Sequence, residues 1–299
     1  VVQIIAPETQ GHHDAGIVEA NPDMFKAFWP AVRGSYFFRN RRLYLDFMRS
    51  SGGRVFYVAG GSCSNPPFIL LGNWRSRADI TALWHVRGDG VIKKRLVRVA
   101  ASSSFAAGSS RLVTKPLGGY ETEEYTRWGF ETIYRIVLLE KHLRRESDSS
   151  GVEAPIEIMR YRKRYQDEVL KLDATAFDDF WRLDAHTLEA VATSCYHNTF
   201  LLAQQDGEVL GYAIGGANGR FGYLQRLGIH AGHHGKGVGE ALTRRITSIL
   251  RNMGAAVLMV NTQEDNEAAL GLYRKLGFET MPDGRFIMQH TPENLERTT

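Results

Sequence analysis

Apolar and polar positions along the chain alternate in blocks that switch between a period of two and a period near 3.6. That pattern belongs to strands and helices sharing a mixed sheet. In the second half, IEIMRY (156–161) predicts a strand, and residues 164–195 carry apolar positions at helical spacing in two segments. NTFLLAQ (198–204), EVLGYAIGG (208–216) and GYLQRLGIH (222–230) predict three more strands, with hairpin turns at Asp206 and Gly207 and at Asn218 and Gly219. A helix is predicted from about Gly237 to Met253, ended by Gly254, and AAVLMVNT (255–262) reads as a strand buried on both faces. NEAALGLYRKLG (266–277) reads as a helix with Asn266 near its start and Gly277 past its end, and two terminal strands close the unit.

The first half repeats this order. VFYVAG, PFILLGNWR and DITALWHV predict hairpin strands, VIKKRLVRVAASSSF a helix, SRLVTKPL the next strand and ETIYRIVLLEKHL a closing strand. The opening region, with PDMFKAFW and YLDFMRSSGG, is helical and aromatic-rich. Two blocks confirm an internal repeat. YTRWGFET at Tyr125 returns as YRKLGFET at Tyr273, and RGDGVI at Arg87 lies opposite HGKGVG at His234, in nearly the same register. The polar stretch RRESDSSGVEAP separates the copies. The expected division is a first domain over 1–145, a linker over 146–155 and a second domain over 156–299.

Composition adds modest constraints. The 299 residues are 43% hydrophobic and 23% charged, a globular balance. No apolar run approaches a membrane span and no secretory segment opens the sequence, so a cytoplasmic protein without a membrane partner is expected. Cys63 and Cys195 are too few for a disulfide framework. A net charge of +4 suits a polyanionic cofactor but does not argue for nucleic acid. The basic run KKRLVR (93–98) reads as the solvated face of a helix.

The densest candidate chemistry is HHGKGVGEALTRRI (233–246). Lys236 is followed by Gly237 instead of a Ser or Thr, which removes the P-loop reading. The spacing of Gly235, Gly237 and Gly239 is not that of a dinucleotide fingerprint. A glycine loop opening a helix can converge its N–H groups on a diphosphate, and it can equally be a tight turn. Seven residues separate Asn266 from Tyr273, which places them on one helix face. That face either meets a polar ligand, or Asn266 caps the helix and Tyr273 packs in the core.

Taken in order, IHAGHHGKGVG and then NTQEDNEAALGLYRKLGF resemble the GCN5-related N-acetyltransferase (GNAT) family, over roughly residues 156–290. The resemblance implies an α/β mixed-sheet fold in two tandem GNAT copies, and an acyl-CoA-dependent N-acyltransferase that needs no metal. It implies that the backbone of Leu227, Gly228 and Ile229 pairs with the pantetheine arm of coenzyme A. The N–H groups of His234, Gly235, Lys236, Gly237, Val238 and Gly239 would hold its diphosphate. Asn266 would touch the arm and Tyr273 would protonate the departing thiolate. His234 stands where the family usually carries Arg or Gln, so binding is expected to weaken as the imidazole loses its proton.

The general base is less determined. His197, His230, Glu264 and Asp265 are candidates, with His197 favoured; Gln225 and Asn261 cannot act as bases. In the first copy Ile92 replaces the last loop glycine, Asp89 puts an anion where phosphate would lie, and Gly118 stands opposite Asn266. That copy is expected to be degenerate and to wall the acceptor site, with Phe25, Phe28, Trp29, Tyr36, Phe37 and Phe38 either lining the wall or forming plain core.

Tandem members of the family include mycothiol synthases and amino-sugar N-acyltransferases of glycopeptide antibiotic pathways. The expected reaction moves an acetyl or longer group to a primary amine of a small molecule, an amino sugar among the candidates, by direct attack. Trp181 or Phe180 would shape an acyl tunnel. The alternatives are an aminoacyl-tRNA-dependent (Fem-like) transferase, which the intact loop and missing helical arm oppose, and a non-catalytic coenzyme A-binding protein. A monomer or homodimer is expected.

Overall fold

The computed structural model describes residues 16–33, 40–60, 66–143 and 156–298. The expected linker over 146–155 lies outside these residues, as do Cys63, Tyr36, Phe37 and Phe38. The described residues form two compact units, 1–133 with 287–299, and 134–286.

In the first unit, β1 (Ile17–Glu19) is followed by α1 (Phe25–Val32), α2 (Arg41–Ser50), β2 (Arg54–Val58), β3 (Phe68–Trp74) and β4 (Arg77–Arg87). Then come α3 (Gly90–Ala106), β5 (Arg111–Thr114) and α4 (Gly119–Arg127). Strands β1 to β4 pair antiparallel in sequence, and β4 pairs parallel with β5 across α3. Phe25 and Phe28 pack in the core with Tyr44, Phe68 and Leu70, so these two belong to plain core and not to an open wall. The KKRLVR run sits in α3, where Leu96 and Val97 are buried, Lys93 pairs with Glu124 and, within the run, Lys94 alone is exposed. The face is therefore only partly solvated.

His85 on β4 stacks on Phe68 at 5.2 Å. Burial, with Lys115 and Arg87 nearby, pushes its pKa down to about 4. Between the ordinary histidine pKa near 6.5 and about 4, the unfolded chain takes a proton that the folded one refuses. Melting temperature should therefore fall as pH drops through that window, and His85→Phe should flatten that slope in thermal scans.

The second unit opens with β6 (Glu131–His142), most of which lies in it. It continues through β7 (Glu157–Arg160), α5 (Gln166–Ala176), α6 (Ala185–Ala192), β8 (His197–Gln205), β9 (Glu208–Asn218) and β10 (Phe221–Ile229). Next are α7 (Val238–Asn252), β11 (Val257–Gln263), α8 (Glu267–Lys275) and β12 (Glu279–Thr280). The strand order is β6-β11-β10-β9-β8-β7, with β12 on β6. The β8–β9 turn has Asp206 and Gly207 at φ 52° and 84°, as a tight hairpin turn requires. The following turn falls on Gly219 and Arg220, one residue later than expected, because Asn218 stays in β9 and accepts from Tyr196 N–H.

The closing strands differ from expectation. β6, read as the last strand of the first copy, pairs along Val257↔His142 to Gln263↔Ile136 with β11 in the second unit. β13 (Arg285–His290), read as closing the second copy, pairs with β5 of the first unit at Gln289↔Val113 and His290↔Leu112. It leads into α9 (Pro292–Thr298), where Asn294 Nδ2 donates to the Gly129 carbonyl in the same unit. The compact units therefore do not coincide with 1–145 and 156–299. A strand's alternation fixes which face is buried but not which edge it joins.

Candidate active site

The site is built where β10 and β11 part. Their parallel ladder runs from Phe221↔Val257 to Leu224↔Val260. Beyond it, β10 keeps only β9, through Leu227↔Ala213, Gly228↔Tyr212 and Ile229↔Gly211, while β11 continues against β6. The strand edge from Gln225 to Ile229 is thus left unpaired on the β11 side. An extended ligand could add to such an edge as a strand does.

The parting coincides with a bulge in β10 between Leu224 and Arg226. Leu224 packs in the cluster under α7, whereas Arg226 enters the layer of α5. Asp173 on α5 receives Arg226 Nε at 2.9 Å and Nη2 at 2.6 Å on Oδ2, and its Oδ1 accepts from Leu183 N–H. Tyr212 O–H donates to the same Oδ2, and burial drives the pKa of this phenol far up, with Arg226 pulling it back. Arg226 also donates to the Trp181 carbonyl and lies over the Phe177 ring. With Asp173 0% and Arg226 7% exposed, this is a buried ion pair whose lone pairs and protons are well used. It ties the 177–183 loop to the bulge. At the other side of the parting, Phe180 stacks on Tyr134 of β6 at 4.8 Å and Trp181 meets it edge-on. The loop spans from β10 to β6.

At the end of β10 the chain makes a short turn over Ala231–His233 and reaches the glycine loop. Gly235 and Gly237 have φ 73° and 83°, left-handed values that side chains resist. A Cβ on Gly235 would meet nothing within 4 Å, so this glycine faces open space. Gly239 serves differently: a Cβ there would press on Leu272 at 3.2 Å, where α7 packs closely. The first helical bond of α7 is Ala241 N–H to the Gly237 carbonyl, so the N–H groups of Val238, Gly239 and Glu240 precede any intrahelical acceptor. Glu240 is itself held by Lys275 of α8 and, less strongly, by Arg244, which keep its carboxyl below the usual range. His234 donates from Nε2 to the Ile229 carbonyl at 3.1 Å, since a carbonyl can only accept. Only its Nδ1 is left for a ligand. Lys236 is exposed and Val238 is buried.

Asn266 and Tyr273 take the positions that the sequence also allowed as structural. Asn266 Oδ1 accepts from Ala269 N–H and so caps α8, a bond that does not use its Nδ2. Tyr273 is 4% exposed and packs on Phe278. Burial drives its phenol pKa well up, and no described residue hydrogen-bonds its hydroxyl. Gly228 has a packing reason of its own, because a Cβ there would stand 2.5 Å from the Tyr212 ring.

The base candidates are scattered. His197 is exposed at the start of β8, level with Ala217, two residues after Cys195. His230 accepts from Gly232 N–H, Glu264 sits 3.9 Å from Arg135, and Asp265 is exposed. Sequence reasoning missed Asp173, Tyr212, Arg226 and Tyr134. The adjacent polar pair Gln225 and Arg226 inside an alternating strand was the available signal for the bulge.

The first unit keeps the frame without the site. Its parallel ladder ends at Leu83↔Thr114, and the residue at its bulge is Trp84, packed on Phe47 and Trp74. Only Gly88 and Asp89 join β4 to α3, and the Asp89 carboxylate occupies the helix start by accepting from Ile92 N–H. Tyr125 and Phe130 reproduce the Tyr273–Phe278 contact, with centroids at 5.3 Å and 5.6 Å.

Comparison with known proteins agrees with this geometry. The model of the acetyltransferase (GNAT) family matches residues 163–278. An acetyltransferase of Pectobacterium atrosepticum is 37% identical over 82 residues, 27% of this chain and 58% of that protein's length. Among solved structures, a tandem GNAT protein from the clavulanic acid biosynthesis pathway aligns with TM-score 0.66 at 15% identity, covering 92% of this chain and 98% of its own. A GCN5-related N-acetyltransferase from Sphaerobacter thermophilus gives 0.62 at 13%, covering 93% and 96%. A region described as a GCN5-related glucosamine N-acetyltransferase, within a fungal multi-domain GH3 β-N-acetylglucosaminidase, gives 0.66 at 14%, covering 96% and 39%. The chain has the tandem GNAT fold, and its residues 163–278 match the model of the acetyltransferase (GNAT) family.

Proposed function

We propose that this chain is an acyl-CoA-dependent N-acyltransferase that acylates a primary amine of a small molecule by direct attack. The observation that carries the reading is the conjunction at the end of β10. An unpaired strand edge leads straight into a loop whose left-handed Gly235 and Gly237 open a helix with unbonded N–H groups. The residues present fit coenzyme A. Main-chain N–H groups from Gly235 to Gly239 hold the diphosphate, that of the expected His234 being taken by the Ala231 carbonyl, and the edge at Leu227, Gly228 and Ile229 aligns the arm. Asn266 Nδ2 reaches the arm from the start of α8. When bound, the cofactor supplies the acyl thioester.

Tyr273 stays protonated across the ordinary pH range and supplies the proton to the leaving sulfur. His197 is the proposed base, working through solvent from the segment that flanks the bulge. The first unit, whose loop carries its own carboxylate, is proposed to bind no coenzyme A. An amino sugar is the acceptor class to test first, because a neighbour of the same fold is described as acting on glucosamine. The test is thiol release from acetyl-CoA with glucosamine and other primary amines.

Gly237→Val removes the left-handed loop residue. Strain of roughly 1–3 kcal/mol and misdirected N–H groups should weaken coenzyme A binding by about tenfold to a hundredfold in calorimetry. A folded variant that binds like the parent would contradict the assignment.

A further inference from the structure

Gln225 is the bulge residue, at the point where β10 leaves β11. The bulge puts it on the same face as Arg226, toward the segment between α6 and β8. Its Nε2 donates to Ser194 Oγ and lies 3.5 Å from Cys195 Sγ. The contact cannot be reversed cheaply. Ser194 has one hydroxyl proton, and it goes to the Val191 carbonyl at 2.9 Å. A carbonyl only accepts, so Ser194 must accept from Gln225, and the amide is held with its nitrogen toward Ser194. Cys195 is buried and packs closely on Gly216, where a Cβ would stand 2.3 Å from the cysteine Cβ. The other end of the amide, Oε1, is buried and receives no hydrogen bond from any described residue. A buried acceptor left without a donor is costly and calls for an explanation, a catalytic role among them.

Resting on the N-acyltransferase reading, the geometry points to Gln225 as the residue that orients the nucleophile: its Oε1 accepts one N–H of the incoming neutral amine. An amide cannot take the proton away. It holds one N–H fixed so that the nitrogen lone pair faces the thioester, and the proton lost on bond formation leaves by another route. The acceptor class this selects is a primary amine, which keeps one N–H on Oε1 and loses the other; a secondary amine or a hydroxyl nucleophile is disfavoured because its single proton is the one that must depart. Gln225 is thus a positioning residue for the acceptor and separate from the coenzyme A loop.

The test uses the full chain, acetyl-CoA and hydroxylamine, a minimal amine that fits any acceptor pocket, with hydroxamate formation read above the solution rate. Gln225→Leu should lower kcat/KM for hydroxylamine by about tenfold or more, while acetyl-CoA affinity and melting temperature stay as in the parent. Gln225→Glu keeps an acceptor oxygen in place. It should restore most of the rate and add an acidic limb to the pH profile, which a purely structural role would not produce. The inference is overturned if Gln225→Leu reacts like the parent, or if Gln225→Glu is no better than Gln225→Leu. It is also overturned if the parent binds acetyl-CoA yet does not react with hydroxylamine. A parent that fails to bind acetyl-CoA would instead overturn the underlying functional reading.

Discussion

Asp173→Ala is expected to lower the stability of the 134–286 unit by about 3–5 kcal/mol. Removing the carboxylate leaves Arg226 charged and 7% exposed with no anion, its Nη2 keeping the Trp181 carbonyl and its Nε the Tyr212 hydroxyl. Tyr212 O–H and Leu183 N–H lose their acceptor at the same time. Urea denaturation should show the midpoint falling with little change in slope. Replacing both charges with apolar residues, Asp173→Leu with Arg226→Met, should recover much of the loss, because the cost lies in the unpaired charge and not in the missing attraction. A single variant as stable as the parent would show that the pair is not buried as described. The same pair anchors the 177–183 loop through the Trp181 carbonyl, so a folded Asp173→Asn variant should also acylate more slowly.

Tyr273→Phe is expected to reduce kcat by about a hundredfold with the KM for acetyl-CoA little changed. The ring contributes burial and the contact with Phe278, both of which phenylalanine keeps. The hydroxyl has no described partner to lose, so stability should be within about 0.5 kcal/mol of the parent. On the proposed mechanism, what disappears is the proton for the departing thiolate. Because burial raises the phenol pKa, kcat in the parent should show no alkaline limb from this group below pH of about 10. Steady-state kinetics across pH in both proteins would check each part. Unchanged kcat in the variant would move the acid elsewhere.

Much of this could be seen in the sequence because it depends on local rules. The glycines of the loop mark a stretch of bare backbone opening a helix; Gly235 and Gly237 adopt left-handed φ there, while Gly239 answers to packing. Asn266 four residues ahead of Leu270 is a cap by position, and the structure records the cap. The YRKLGF block and its YTRWGF counterpart end their helices alike, with Gly277 and Gly129 at φ 77° and 88°. What was hidden is non-local. The edges that β6 and β13 join are set by packing between segments far apart in sequence. The partner of Arg226 lies 53 residues away on a helix whose pattern gives no reason to bury an aspartate. A residue type does not fix exposure either: His197, the favoured base candidate, stands exposed at the start of β8.

The central claim is that main-chain N–H groups from Gly235 to Gly239 hold the diphosphate of coenzyme A. Hydrogen–deuterium exchange of the full chain, followed by mass spectrometry with and without coenzyme A, reads those amides directly. The account predicts strong protection of the peptide spanning residues 229–241 on binding, with the counterpart at residues 86–93 unaffected. Binding that leaves exchange at 229–241 unchanged, or protects 86–93 in its place, would contradict it.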